Sequence, residues 1–302
     1  MIKELFSELI PLQERMHRKS KKKFREYLKT KAEINNLEYK IFPNSFASKN
    51  VVIGNLKTAK YVLGAHYDTP PRMPVFMMKN LILFNLISIL IVPLIIFVFL
   101  YFKINLTFAI LIYILTLLHL LGFGIANKYN YNDNTSGILT LLSLMHKLKR
   151  TDVCYVFYDN EEKGLIGSLQ LATILQKSGG YQLGRKVFIN FDCVGRGEVF
   201  GVVSFKRSKQ IASEIISLND DKKLQFVHRK ASIFEGSDHF SFRNWNSLGI
   251  MCYNKKGKKL GLNNIHSHKD RNIDLDNINT LVCVIEKYIS KEDERNGWFA
   301  HK

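Results

Sequence analysis

The sequence predicts an α/β domain interrupted by a two-helix transmembrane hairpin, and three observations carry that prediction. Short β-branched strands alternate with segments of helical periodicity through most of the chain. Imidazole and carboxylate side chains gather at the ends of those strands, where open α/β sheets place their chemistry. Residues 81–126 are almost free of charge, whereas the rest is rich in Lys and Arg. The 302 residues suffice for one large domain, and 46% hydrophobic residues with only 6 prolines exclude disordered and collagen-like classes.

Residues 4–31 place Leu5, Leu9, Leu12 and Met16 at helical spacing, then run through Arg18, Lys19, Lys21, Lys22, Lys23 and Arg25. This reads as a basic amphipathic helix, a segment of its own over 1–31. Its charge suits either a solvated face or anionic lipid headgroups. The 44 Lys+Arg against 26 Asp+Glu, a formal charge of +18, would also attract nucleic acid. No nucleic-acid motif accompanies the charge, so nucleic acid is not an expected partner. Nothing in the first eleven residues reads as a signal peptide, since Lys3, Glu4 and Glu8 interrupt it.

Strands are expected at 50–53 and 60–64, joined by a Gly54-Asn55 turn, the second leading into His66-Tyr67-Asp68. Residues 81–102 and 106–126 then form two runs long enough to cross a hydrocarbon core of about 30 Å. Only Lys103-Ile104-Asn105 separates them, which forces a hairpin and returns the chain to the compartment it left. Arg72, Lys79 and Lys128 flank it, so the expectation is an integral protein of the cell membrane, in contact with the lipid bilayer, its catalytic domain cytoplasmic. Beyond it come a helix at 138–148, a strand at 153–158, a helix at 164–176 and a strand at 186–191. A helix at 208–218, a strand at 249–253 and a helix at 277–289 follow, with a polar tail over 291–302.

Five clusters carry possible chemistry: His66 with Asp68, Asp133, Glu161 with Glu162, Asp192, and His266 with His268 and Asp270. They offer imidazole and carboxylate without thiolate, a set suited to zinc, with manganese or cobalt as alternatives. Cys154, Cys193, Cys252 and Cys283 are far apart and form no metal knuckle. Singly, each cluster also fits a bland role: a hydrogen-bonded pair, a helix start or a helix cap. Together they supply what a binuclear site needs, two His, a bridging carboxylate, one further carboxylate per metal and a spare one as base.

In these stretches the chain resembles the co-catalytic di-zinc aminopeptidases, metallopeptidase family twenty-eight. They are Gly-Ala-His-Tyr-Asp-Thr at 64–69, Asp-Asn-Thr-Ser-Gly at 133–137, residues 157–168, Asn-Phe-Asp at 190–192, Gly-Ser-Asp-His at 236–239 and residues 265–270. The order matches the family's, and the resemblance covers roughly residues 50 to 290 apart from the hairpin. It implies a three-layer α/β/α zinc-peptidase fold with a mixed sheet, formed by residues 32–80 and 127–290, with the hairpin of 81–126 inserted. It further implies that His66 and Asp192 hold one zinc, Glu162 and His266 the other, and Asp133 bridges them. Glu161 would be the free carboxylate that takes a proton from water, and Asp68 would orient His66 from behind.

Between His266 and His268, the resemblance favours His266, because Asp270 follows it by four as in the family's His-Thr-x-x-Asp pattern. Phe234 stands four before Asp238, where some relatives carry a tyrosine that helps stabilise the oxyanion. The implied activity is a membrane-anchored aminopeptidase acting on peptides with a free amino terminus. Alternatives are amidohydrolase or carboxypeptidase chemistry on the same two-zinc site, and a membrane binding protein that has lost catalysis. Single-zinc glutaminyl cyclisation fits less well on this reading, because His66 is retained.

Overall fold

The computed structural model describes residues 1–72, 125–232, 236–257 and 259–300, with scattered positions between 93 and 114. Two helices open the chain, α1 (Ile2–Leu9) and α2 (Arg18–Ile34), followed by strands β1 (Tyr39–Asn44), β2 (Lys49–Ile53) and β3 (Tyr61–His66). Then come α3 (Ser136–Leu148), β4 (Val153–Tyr158), α4 (Ile166–Ser178), β5 (Val187–Phe191), β6 (Val199–Ser204), α5 (Lys209–Ser217) and β7 (Gln225–Lys230). Strands β8 (Asn246–Lys256) and β9 (Lys259–Gly261) and helix α6 (Leu275–Ala300) complete the described elements.

The described strands form one mixed sheet in the order β1-β2-β4-β3-β5-β8-β6-β7, with β9 pairing β8. Strands β4, β3, β5 and β8 run parallel through its centre, while β2 joins β4 and β6 joins β8 antiparallel. Alternation along the buried strands creates two cores. Tyr61, Leu63 and Ala65 of β3, with Val153, Tyr155 and Phe157 of β4, face the core shared with α1, α2, α3 and α6. Val62, Cys154, Val156 and Tyr158 face the other, with Leu171 and Leu175 of α4 and Phe242. The result is the expected α/β architecture with a mixed sheet.

Several local expectations are revised. Strands β2 and β3 do not pair with each other, because β4 lies between them. Strands β1, β6 and β7 lack a clean apolar alternation in the sequence. The single helix expected over 4–31 is two, since Pro11 opens a short turn at Ile10–Leu12 and the chain then passes through buried Arg15. Helix α2 also packs inward, with Phe24, Leu28 and Ala32 in the core and Lys21 paired to Asp159 at 2.6 Å. Helix α6 runs through most of the stretch read as a polar tail.

The hairpin expected over 81–126 lies almost wholly outside the described residues, as does Phe234. Among the described residues no helix is long and apolar enough to cross a membrane. That finding overturns the expectation of an integral membrane protein with a cytoplasmic catalytic domain.

Candidate metal centre

The parallel strands β3, β4 and β5 end on one side of the sheet, and the segments beyond them supply most of the site. Strand β3 delivers His66 as its last residue and Asp68 two further on. Glu161 and Glu162 follow β4 after Asp159 and Asn160, and Asp192 follows β5 directly. Asp133 sits in the irregular turn Tyr131–Thr135 that opens α3, and His266 in the loop between β9 and α6.

Glycine allows these loops to approach. A Cβ on Gly137 would lie 2.4 Å from both Asn134 Oδ1 and the Phe191 carbonyl, so the Asp133 turn packs on β5 only without one. Left-handed backbone occurs at His266 (φ 54°), at Asn160 (φ 56°) before Glu161, and at Cys193 (φ 53°) after Asp192. None is glycine, and each such residue costs about 1–2 kcal/mol that the surrounding packing must offset.

All the metal-ligand candidates converge. His66 Nε2 lies 3.2 Å from Asp133 Oδ1 and 3.6 Å from Asp192 Oδ1. His266 Nε2 lies 2.8 Å from Asp133 Oδ2 and 3.2 Å from Glu162 Oε2. Asp133 thus turns one oxygen to each imidazole, the disposition of a bridging carboxylate. Three triads have ligand atoms within 4.8 Å of one another: His66, Asp133 and Asp192; His66, Glu161 and Glu162; and Asp133, Glu162 and His266. His268 is not among them and lines a separate surface cavity.

Supporting contacts fix this geometry. His66 Nδ1 lies 3.2 Å from the Asp68 backbone carbonyl, which only accepts, so Nδ1 carries a proton and Nε2 points into the cluster. The Asp68 carboxylate is 3.6 Å from Nδ1, and its stronger bonds are elsewhere. Its two oxygens accept the backbone N–H of Glu161 at 3.0 Å and of Glu162 at 3.2 Å. Asp270 likewise accepts the N–H of Asn132 at 2.9 Å and of Asp133 at 3.0 Å. Ser237 donates to Asp192 Oδ2 at 2.6 Å. These backbone-holding roles of Asp68 and Asp270 escape a motif reading, because a motif names residues and not the atoms that bond.

The site's charges are unbalanced as they stand. Burial pushes the Glu161 carboxyl well above its ordinary range, and the fields of Asp238, Asp192 and Asp68 add to it. Glu162 is pushed up in the same sense by burial and by Asp133 and Glu161. Burial would depress His66, yet Glu161 and the bonds to Asp133, Asp192 and Asp68 lift it well above normal. Glu162 Oε1, Asp192 Oδ1 and His266 Nδ1 are buried without a hydrogen-bond partner. Imidazole nitrogens and carboxylates aimed at one another, with orphaned oxygens beside them, fit a cationic group between them.

The family model described as Peptidase family M28 matches residues 119–288, more than half of the chain. No curated protein matches it. Among solved structures, a Zn-dependent exopeptidase from Parabacteroides distasonis is similar with a TM-score of 0.63 at 15% identity, covering 94% of each chain. A glutaminyl cyclase from Porphyromonas gingivalis gives a TM-score of 0.69 at 14% identity, covering 96% of this chain and 97% of that one. The LapA aminopeptidase of Legionella pneumophila gives 0.61 at 14% identity, covering 95% and 69%. Likeness at this identity shows the fold alone. With the family model extending over the Asp133, Glu161–Glu162, Asp192 and His266 segments, the chain belongs to peptidase family M28.

Proposed function

We propose that the protein is a zinc-dependent aminopeptidase that removes the amino-terminal residue of peptides. The observation that carries this reading is Asp133, whose two carboxylate oxygens face the two imidazoles His66 and His266. His66 and Asp192 would hold one zinc ion and Glu162 and His266 a second, with Asp133 shared. Bound there, zinc supplies Lewis acidity toward the scissile carbonyl and lowers the pKa of water.

The protein's own groups do the rest. Glu161 stands beside the ligands with its backbone N–H tied to Asp68, so its carboxylate can face the reacting water. A carboxylate oxygen of Glu161 accepts the water proton and delivers it to the leaving amine. Burial lifts the pKa of this carboxyl, which makes the ionised group a stronger base toward the water proton. Glu161→Gln removes that transfer and should lower kcat about 10²–10⁴-fold while zinc content holds.

A second reading is cyclisation of an amino-terminal glutamine, favoured by the near-complete coverage shared with the Porphyromonas gingivalis enzyme. One experiment separates them: purified protein is given free-amine, amino-blocked and glutamine-initiated peptides, after chelation and again with zinc restored. Release of the first amino acid from free-amine peptides alone, lost on chelation and regained with zinc, supports the aminopeptidase. Ammonia release from the glutamine peptide without peptide-bond cleavage supports cyclisation instead, and cleavage of blocked peptides moves the reading to amidohydrolase or carboxypeptidase chemistry.

A further inference from the structure

Beside the candidate metal centre lies a surface cavity of about 430 Å³ lined by Arg72, Lys128, Tyr129, His268 and Arg271, with Asn127 at its back. Among the described residues its lining contains no carboxylate. Arg72, Lys128 and Arg271 are exposed, and none forms an ion pair among the described residues. The walls are built rather than accidental. The Arg72 N–H donates to the Ile125 carbonyl at 2.7 Å, and Asn127 Nδ2 donates to the Ser267 carbonyl at 3.1 Å. Arg271 lies over the Tyr129 ring, 3.7 Å from its centroid, and its Nε donates to the His268 carbonyl at 2.9 Å. Among the described residues its terminal guanidinium nitrogens have no hydrogen-bond partner.

Each wall is a continuation of a segment that carries a site residue. Arg72 follows Asp68 by four positions, Lys128 precedes Asp133 by five, and Arg271 follows His266 by five. At no more than about 3.6 Å per residue, the cavity lies within about 18 Å of these groups. A substrate residue one or two positions beyond the scissile bond reaches about 8–12 Å with its side chain, which falls inside that upper limit. Three cations repel a free amino group, so the cavity does not suit the amino-terminal end of a peptide. It suits a carboxylate, which a guanidinium can grip with two parallel hydrogen bonds.

We propose that this basic cavity is a subsite for a carboxylate on the leaving-group side of the substrate, so that the enzyme prefers peptides acidic in that part. The carboxylate can be a Glu or Asp side chain or the terminal carboxylate of a short peptide. The inference rests on the peptidase reading above, and a binding measurement separates their fates. Zinc-loaded Glu161→Gln protein is titrated by calorimetry with Leu-Glu-amide, Leu-Gln-amide and Leu-Gln at low and high salt. The unsubstituted enzyme is assayed for hydrolysis of the same three.

Leu-Glu-amide should bind about five- to ten-fold more tightly than Leu-Gln-amide at low salt, the yield of one to three partly exposed ion pairs. The ratio should shrink at high salt and when Arg72→Gln or Arg271→Gln is added to Glu161→Gln. Arg72 is the safer variant, because among the described residues its side chain has no hydrogen bond or ion pair to lose. A matching advantage for Leu-Gln over its amide identifies the terminal carboxylate as the source, and an advantage for Leu-Glu-amide alone identifies the side chain. Equal affinities for all three, or ratios untouched by both arginine substitutions, overturn the subsite even if the enzyme hydrolyses every peptide. A binding preference abolished by Arg72→Gln with no hydrolysis by the unsubstituted enzyme keeps the subsite and sinks the peptidase reading.

Discussion

Asp68 divides its work between atoms: its backbone carbonyl fixes the His66 tautomer, and its carboxylate holds the backbone of both Glu161 and Glu162. In Asp68→Asn one acceptor oxygen becomes an NH₂ donor that must face an N–H, so the Glu161–Glu162 loop shifts while His66 keeps its bond to the carbonyl. Zinc affinity should fall about 10–100-fold, measured by competition with a chromophoric chelator, and the loss should fall mainly on the Glu162 side. His239 makes a second case at this scale. Its ring is buried, neither nitrogen has a hydrogen-bond partner, and burial lowers its pKa to about 4 despite the opposing field of Asp192. The unfolded chain takes up that proton near pH 6.5 and the folded one only near 4. This contribution to stability is therefore full above pH 6.5 and lost as pH falls toward 4. Asp238 and Asp270, raised to about 7 mainly by burial, change stability in the opposite sense, so a difference measurement is needed. Between pH 6.5 and 4, urea denaturation should show the unsubstituted protein losing up to about 1.4 kcal/mol per pH unit more than His239→Gln.

Among the elements, the amino-terminal helices bear most directly on the site. Fully buried Arg15, in the turn between α1 and α2, donates from Nε to the Tyr67 carbonyl at 2.6 Å and from its terminal nitrogens to the Leu12 carbonyl and to Thr135 Oγ1 at 2.7 and 3.0 Å. It thereby joins the loop after β3, which carries Asp68, to the turn that carries Asp133. Arg15→Met leaves those acceptors without partners and should cost about 3 kcal/mol in urea denaturation, with zinc affinity falling alongside. The strand-end motifs were legible in the sequence because each keeps its ligand types together within a few residues of a strand's carboxyl end. The helices' role was not. A run of Lys and Arg reads as a solvated or lipid-facing surface, and the partner that draws Lys21 inward, Asp159, lies 138 positions away. The apolar part of that inward face, Phe24, Leu28 and Ala32, was visible at helical spacing but obscured by the charges around it. The apolar length of residues 81–126 was legible only as composition, and composition alone does not place a segment in a bilayer.

For the whole molecule, the notable feature is an acidic centre inside a chain of formal charge +18. The carboxylates gather beyond the ends of β3, β4 and β5 and in the turn before α3, and among the described residues the fold holds their backbone by hydrogen bonds to Asp68 and Asp270 rather than pairing them with the plentiful Lys and Arg side chains. Such a site is self-repelling until a cation enters it, so the metal should contribute to the stability of the entire domain. At a free zinc concentration a thousand-fold above the dissociation constant, linkage gives about 4 kcal/mol, which for a domain of this size corresponds to roughly 8–16 °C in Tm. Chelation should lower Tm by that amount and added zinc should restore it. The pH dependence of the two forms should also differ. In the metal-free protein the Glu161 and Glu162 carboxyls are held well above their unfolded values, chiefly by burial. A group raised in this way contributes fully below its unfolded pKa, and the contribution disappears as pH climbs through the folded value. Metal-free protein should therefore lose Tm steadily from about pH 5 upward, while zinc-loaded protein, whose carboxylates are already ionised against the metal, should hold its Tm over the same range. Parallel curves for the two forms would mean that the carboxylates do not meet a cation where the geometry brings them together.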